Sequence, residues 1–479
     1  MRRSSRLART ALAALCVFTL AAGVTVARLL PRRLALWQPP GVSASRLAGS
    51  VQVLGPSRPT SPGAKATAAG VTRAITPVIS APVFGHRLGV LVTDLASGHV
   101  LYASSAAAGF APASTTKLAT SIAAIRVLGP NARFTTTVVS GAGANSIVLV
   151  GGGDPTLAAG SPPATDYPQP ATLSELAKST ARVLKARGRH SVVLGYDTSL
   201  YSGPSLAPGW PTGGTSYMAT GNVSVITSLS VDQGRVTATG APADNEFSNG
   251  PRAVDPAAVA ATAFASFLSA DGISVSGAPV QVTAPRRART LASLQSLPLT
   301  QIVQLMLEES NNVMAENLAR HVAIATGRPA TFAGGAAAVT GVLRRLGVDG
   351  ALRLNDGSGL SPLNQISPVT LVQLLRFAAV RPELRPVLAG LPVEGFSGTL
   401  GQGGSVFGLG RATGFGVVRA KTGNLSTVAA LAGTAYGKNG QLFAFAIMAD
   451  KIPAGPGALT TAATAMVNMA SALAGCGCR

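Results

Sequence analysis

The chain has 479 residues, 39 of them Lys or Arg against 18 Asp or Glu, a net charge of +21 and a hydrophobic share of 47%. That length holds about two or three domains, each able to bury a core. The arginines are dispersed and no aromatic-interleaved basic patch occurs, which argues against nucleic acid and for anionic wall polymers or lipid headgroups as the charge partner.

In chain order, Arg2, Arg3, Arg6 and Arg9 precede the uncharged apolar run "TALAALCVFTLAAGVTVA" at 10–27. A basic stretch followed by such a run is the export pattern, with "TVA" at 25–27 as a cleavage site. The run is also close to the length of about 20 residues that spans a bilayer. Residues 1–33 are therefore read as a signal peptide or an N-terminal membrane anchor, and the rest of the chain as working outside the cytoplasm. Residues 34–80 are rich in Pro, Ser, Ala and Gly without sustained periodicity and read as a linker.

A hairpin follows, "RLGVLVTD" (87–94) and "HVLYAS" (99–104) joined by the short turn "LASG". Pro112 then opens a helix whose apolar spacing runs through "LATSIAAIRVL" until Gly129-Pro130 stops it. Residues 81–150 are read as the first part of one domain. From 151 to 295 short strands separated by Gly/Pro turns dominate, among them "SVVLGY" (191–196), "VSVITSLSV" (223–231) and "APVQVTAP" (278–285), with helix at 173–188 and 255–272. This stretch reads as a β-rich inserted module. Residues 296–475 return to helices and close with "FGVVRAKTG", "TVAALAGTAY", "QLFAFAIMAD" and an alanine-rich helix. Strands at both ends of the chain predict one antiparallel sheet flanked by helices, an α/β (α+β) domain split by the insertion. Cys16 lies in the export run, and Cys476 and Cys478 are either a local bridge or two free thiols.

Three short motifs carry the chemistry. The chain has only seven lysines against thirty-two arginines, yet one stands three places after Ser114, as Lys117 in "PASTTKLAT". Ser-x-Asn occurs at Ser310-Asn311-Asn312, and Lys-Thr-Gly at Lys421-Thr422-Gly423. Each is weak alone; their conjunction, in this order and in these contexts, is what a serine acyl-enzyme requires. At i and i+3 on a helix the Lys117 amine reaches the Ser114 hydroxyl. To act as its base the amine must be uncharged, and desolvation, a second ammonium at Lys421 and the helix dipole all push it that way. Ser310 is then placed to relay a proton to the leaving amine, Asn312 to hydrogen-bond the substrate peptide, and Lys421 with Thr422 to hold a terminal carboxylate. Backbone N–H groups at Ser114 and Asn424 are the expected oxyanion donors.

The histidines, His86, His99, His190 and His321, show no metal-type pairing and read as structural or surface residues. No Gly-x-Ser-x-Gly elbow, Walker loop or Rossmann fingerprint occurs.

On these motifs, with "VGGGDPTL" (150–157), "ESNNVMAENLAR" (309–320), "LNDGSGLS" (354–361), "LPVEGFSGTL" (391–400) and "AKTGNLSTVAALAG" (420–433), the chain resembles the class C low-molecular-mass penicillin-binding proteins of peptidase family S13. The resemblance covers roughly residues 85–470. It implies a transpeptidase/β-lactamase-like domain interrupted between its first two motifs. It also implies hydrolysis of D-Ala-D-Ala ends or D-Ala cross-links of peptidoglycan stem peptides through an acyl-Ser114 intermediate, acylation of the same serine by β-lactams, and no metal or organic cofactor. Three positions depart from the family pattern. Asn311 stands where Asp is usual, Asn424 where a second threonine is usual, and Pro362 where an arginine helps read the distal charged end of the stem peptide. Asp154 is the other candidate reader of that end. A β-lactamase or transpeptidase using the same site, and a wall-binding scaffold with an attenuated site, are the competing readings.

Overall fold

The structure, a computed structural model, describes residues 65–165, 167–237, 250–402 and 406–478. The export run at 10–27 and most of the expected linker lie outside them. Among the described residues no helix is long and apolar enough to cross a membrane.

The first element falls inside the region read as linker. Helix α1 (Ala68–Ile79) begins at Thr67, whose side chain accepts from the Gly70 N–H, and it buries Val71 and Ile75, one turn apart. Alanine, glycine and Pro77 mask that stripe in the sequence, so the last part of the 34–80 stretch is helix rather than linker.

Strands β1 (Leu88–Asp94) and β2 (Val100–Ser104) form the expected hairpin, and helix α2 (Thr116–Leu128) follows. Residues 116–125 of α2 are all buried, Thr116, Lys117, Thr120 and Ser121 among them. Next come β3 (Thr135–Ser140), β4 (Ser146–Val150), α3 (Leu173–Lys185), β5 (Ser191–Asp197), α4 (Pro256–Ala270), β6 (Ser274–Val275), β7 (Val280–Gln281) and β8 (Thr290–Gln295). The helical return comprises α5 (Leu299–Glu308), α6 (Asn312–Ala325) and α7 (Phe332–Arg345), then the short pair β9 (Leu352–Arg353) and β10 (Gln365–Ile366), α8 (Pro368–Val380) and α9 (Arg385–Ala389). Strands β11 (Val418–Leu425), β12 (Val428–Tyr436) and β13 (Leu442–Ala449) and helix α10 (Ala458–Gly475) close the chain.

The main sheet has the order β11-β12-β13-β1-β2, antiparallel throughout, and so joins the two ends of the chain as the sequence predicts. Side chains alternate across it. Phe443, Phe445 and Ile447 of β13 pack with α1 and α10 on one face, while Ala444, Ala446 and Met448 pack with α2, α6 and α8 on the other. The small residues on the second face let those helices, and with them the motifs, lie close to the sheet.

The inserted module is a second sheet of order β6-β5-β4-β3-β8, with β7 also pairing β5, covered by α3 and α4. Its β4/β5, β5/β6 and β5/β7 pairs are parallel and its β3/β4 and β3/β8 pairs antiparallel, so the sheet is mixed. Strands β3 and β4 belong to it, which places its start near residue 135 rather than 151. The segment 223–231, expected as a strand, forms no ladder. It is instead a largely buried irregular segment whose backbone meets a loop, the Gly153 N–H donating to the Ser228 carbonyl at 2.8 Å. Cys476 and Cys478 are disulfide-bonded, and the Cys478 carbonyl accepts from the Thr67 N–H at 2.8 Å, tying the start of α1 to the C-terminus.

Candidate active site

Ser114 sits in a 3-10 turn, 113–115, that leads into α2. The residue before it, Ala113, is held at φ 46°, a left-handed conformation costing about 1–3 kcal/mol outside glycine. Its carbonyl accepts from Thr116 Oγ1 at 2.9 Å. Gly359 presses on the same carbonyl so closely that a Cβ there would lie 1.8 Å from the oxygen, at a backbone φ of +92° that itself favours glycine.

Lys117, fully buried, has its Nζ 2.8 Å from Ser114 Oγ, 2.7 Å from Asn312 Oδ1 and 2.9 Å from the Ser358 carbonyl oxygen. Burial pushes the amine down to about 7, with Asp356 and then Glu316 pulling it partly back up. The dominant cause is therefore desolvation. The second ammonium acts in the other direction, since burial and then the Lys117 charge hold Lys421 well below the ordinary lysine value. Lys421 is also fully buried, and its Nζ donates to the Thr422 carbonyl at 2.9 Å.

A neutral amine has two N–H donors and one lone pair. With the two N–H groups spent on Asn312 Oδ1 and the Ser358 carbonyl, the lone pair is left for the Ser114 hydroxyl, the direction a general base needs.

Helix α6 fixes the second motif. Asn311 caps it, accepting from the Met314 N–H at 3.1 Å, and its amide donates to Gln233 Oε1. The Asn312 amide is oriented from both ends, since its Nδ2 donates to the Asn222 carbonyl at 2.9 Å while Oδ1 faces Lys117. Ser310 is half-buried at φ 61°. The lysines' hydrogen bonds go elsewhere, so the Ser310 relay is not assembled in this geometry.

Strand β11 is the sheet edge along the site. The Ala420 N–H donates to Pro392 O and Val418 O accepts from the Glu394 N–H, both at 3.0 Å, so the backbone groups of even-numbered residues point outward from the sheet. The Asn424 N–H therefore faces the outer edge, one residue from Gly423, which lies against the Ser114 backbone. The two expected oxyanion donors are thus neighbours. Thr422 is nearly buried, its hydroxyl 2.7 Å from that of Thr399, while Asn424 is exposed.

Asp154 stands apart. It is buried, accepts from Thr156 N–H at 2.8 Å and Thr156 Oγ1 at 2.6 Å, and is raised to about 6 by burial. Its neighbour Tyr201 donates to Asn317 Oδ1 at 2.9 Å, five residues along α6 from Asn312 and so about 7–8 Å down the helix. His321 is structural, stacked on Phe134 and 3.0 Å from the Gly153 carbonyl.

Sequence reasoning missed Asn222, Glu316, Ser358, Asp356 and Thr399. Four of them lie in stretches that carry the family likeness, but a stretch does not tell which of its residues faces a lysine.

Fold and site together define a serine-type acyl-transfer enzyme. The model of the D-Ala-D-Ala carboxypeptidase 3 (S13) family matches residues 71–248 and 215–473. Carboxypeptidase DacB of Mycolicibacterium smegmatis is 36% identical over 418 residues, 86% of this chain and 85% of that protein. D-alanyl-D-alanine carboxypeptidase of an Actinomadura species is 30% identical over 428 residues, 75% of this chain and 77% of its own. In fold, the crystal structure of penicillin binding protein 4 (dacB) from Haemophilus influenzae superposes with a TM-score of 0.64 at 22% identity, covering 83% of this chain and 97% of that one. The chain belongs to the D-Ala-D-Ala carboxypeptidase 3 (S13) family and is a serine-type D-Ala-D-Ala carboxypeptidase.

Proposed function

We propose that Ser114 is the nucleophile and neutral Lys117 its base. The enzyme removes the terminal D-alanine of peptidoglycan stem peptides and cuts D-Ala cross-links by the same chemistry. The Ser114 oxygen bonds to the penultimate D-Ala carbonyl carbon while its proton passes to Lys117 Nζ. The developing oxyanion is met by the Ser114 and Asn424 N–H groups. The C–N bond then breaks, the departing amine taking the proton through the Ser310 hydroxyl, and water cleaves the acyl-serine ester. Asn312 orients the peptide, Lys421 with Thr422 and Gly423 holds its carboxylate, and Asp154 contributes at the distal end of the substrate. β-Lactams acylate the same serine. The N-terminal run exports the enzyme to the cell envelope as a cleaved signal or a retained anchor.

The observation that carries this reading is the buried amine 2.8 Å from Ser114 Oγ with both of its N–H directions already taken. The test is D-alanine release from a peptide ending in D-Ala-D-Ala, by the enzyme and by its Ser114→Ala variant. Release that survives the substitution overturns the reading; rapid turnover of penicillin without D-alanine release would make the protein a β-lactamase.

A further inference from the structure

The 354–361 loop brings a third wall to the catalytic lysine. Two buried carboxylates hold it. Glu316, on the turn of α6 after Asn312, accepts from the Gly357 and Ser358 N–H groups at 3.0 and 2.8 Å. Asp356, fully buried, accepts from Gly359 N at 2.9 Å, Asn364 Nδ2 at 2.7 Å, Ser361 N at 2.6 Å and Trp210 Nε1 at 2.9 Å. Four donors saturate the acceptor capacity of an ionised carboxylate. On its other side the loop turns its carbonyls to α2, Gly357 O accepting from Thr120 Oγ1 at 2.6 Å and Ser358 O from Lys117.

The fourth donor comes from the inserted module. Trp210 lies in the segment after β5, packed edge-on against Phe332 and Tyr217. The same segment reaches the loop twice more, Tyr217 OH donating to Leu360 O at 3.0 Å and Ser361 Oγ to Pro208 O at 2.6 Å, and it supplies the Asn222 carbonyl that orients Asn312. Two of the three partners of the Lys117 amine, Asn312 and Ser358, are therefore braced by residues of the insertion.

We propose that Asp356 and Trp210 are positioning residues through which the inserted module sets the catalytic lysine: the Trp210–Asp356 bond holds the loop so that the Ser358 carbonyl takes one N–H of Lys117 and its lone pair points at Ser114. This rests on the reading of Ser114 as nucleophile and Lys117 as base. A loop staple alone would keep the fold and leave the lysine's titration untouched. Asp356 does more, because its charge also acts on the amine. The charged groups facing Lys117 are Asp356 from the loop, Glu316 from α6 and Lys421 from β11. Removing the Asp356 charge disfavours the ammonium, so the amine stays neutral to lower pH.

The test is the rate of acylation by a fluorescent penicillin across pH, in the full chain and in Asp356→Asn and Trp210→Phe, with folding checked by circular dichroism. Asp356→Asn is expected to lower the plateau on the order of tenfold to a hundredfold, as small misplacements of a catalytic group do, and to move the acid-limb midpoint to lower pH. Trp210→Phe keeps the aromatic packing and loses only the N–H; a smaller fall in the plateau is expected. A slowed Asp356→Asn with the unaltered midpoint, or Trp210→Phe at the unaltered rate, overturns the proposal. Acylation of Ser114→Ala in the same assay would instead overturn the reading it rests on.

Discussion

The Lys117 amine stands 2.8 Å from the Ser114 hydroxyl, three residues away along the chain, in a site that leaves the amine no contact with water. Burial brings its proton affinity down to about 7, so the free base is accessible near neutrality. Below that value the ammonium predominates and acylation falls tenfold per pH unit; above it the rate reaches a plateau. A pH profile of β-lactam acylation checks this. Lys117→Arg, whose guanidinium does not deprotonate, is expected to lose on the order of 10²–10⁴-fold at every pH.

Gly423 admits the edge strand to the nucleophile. A Cβ there would lie 2.9 Å from both the Ser114 nitrogen and the Pro112 carbonyl oxygen, and backbone atoms cannot swing aside as a flexible side chain does. Gly423→Ala must push β11 and the Ser114 turn apart. We expect a stability loss of about 1–3 kcal/mol and a larger proportional loss of acylation, read by thermal unfolding and by penicillin labelling of the same preparation.

Ser310 combines a strained backbone with the hydroxyl to which the proposed mechanism gives the proton transfer to the leaving amine. At φ 61°, glycine is the easier residue to accommodate. Ser310→Gly should leave the melting temperature unchanged or raise stability by up to about 1 kcal/mol while slowing acylation. Unchanged kinetics would remove Ser310 from the proton path.

Helix α1 belongs to the folded domain. A chain beginning at residue 81 lacks Val71 and Ile75, each fully buried and worth about 1.5–3 kcal/mol. Its unfolding midpoint in urea should lie clearly below that of a chain beginning at residue 65. Equal midpoints would show that α1 contributes nothing.

The chemistry was the most legible part of this sequence because it is local: Ser114 and Lys117 share one turn, and Lys421-Thr422-Gly423 occupies one strand end. The main sheet was legible because β1, β12 and β13 are short apolar runs bounded by turn residues, the mark of strands buried on both faces. Segment 223–231 is just as rich in β-branched residues and yet forms no strand, since composition reports burial and not the presence of a ladder partner. β3 and β4 look like any strands of the first domain, and only their long-range pairing with β8 and β5 assigns them to the insertion. Nothing local in the sequence marks Glu316 and Asp356 as buried. Their burial, and hence their hold on the lysine, follows from how α6, the 354–361 loop and Trp210 meet, which no local pattern encodes.

The most direct test of the central claim is to locate the covalent adduct by mass spectrometry of digested protein after incubation with a β-lactam. The account predicts one acyl group per chain, on the peptide holding Ser114, absent from Ser114→Ala and from Lys117→Arg at neutral pH. An adduct on a different residue, or one formed equally well in those variants, would contradict it.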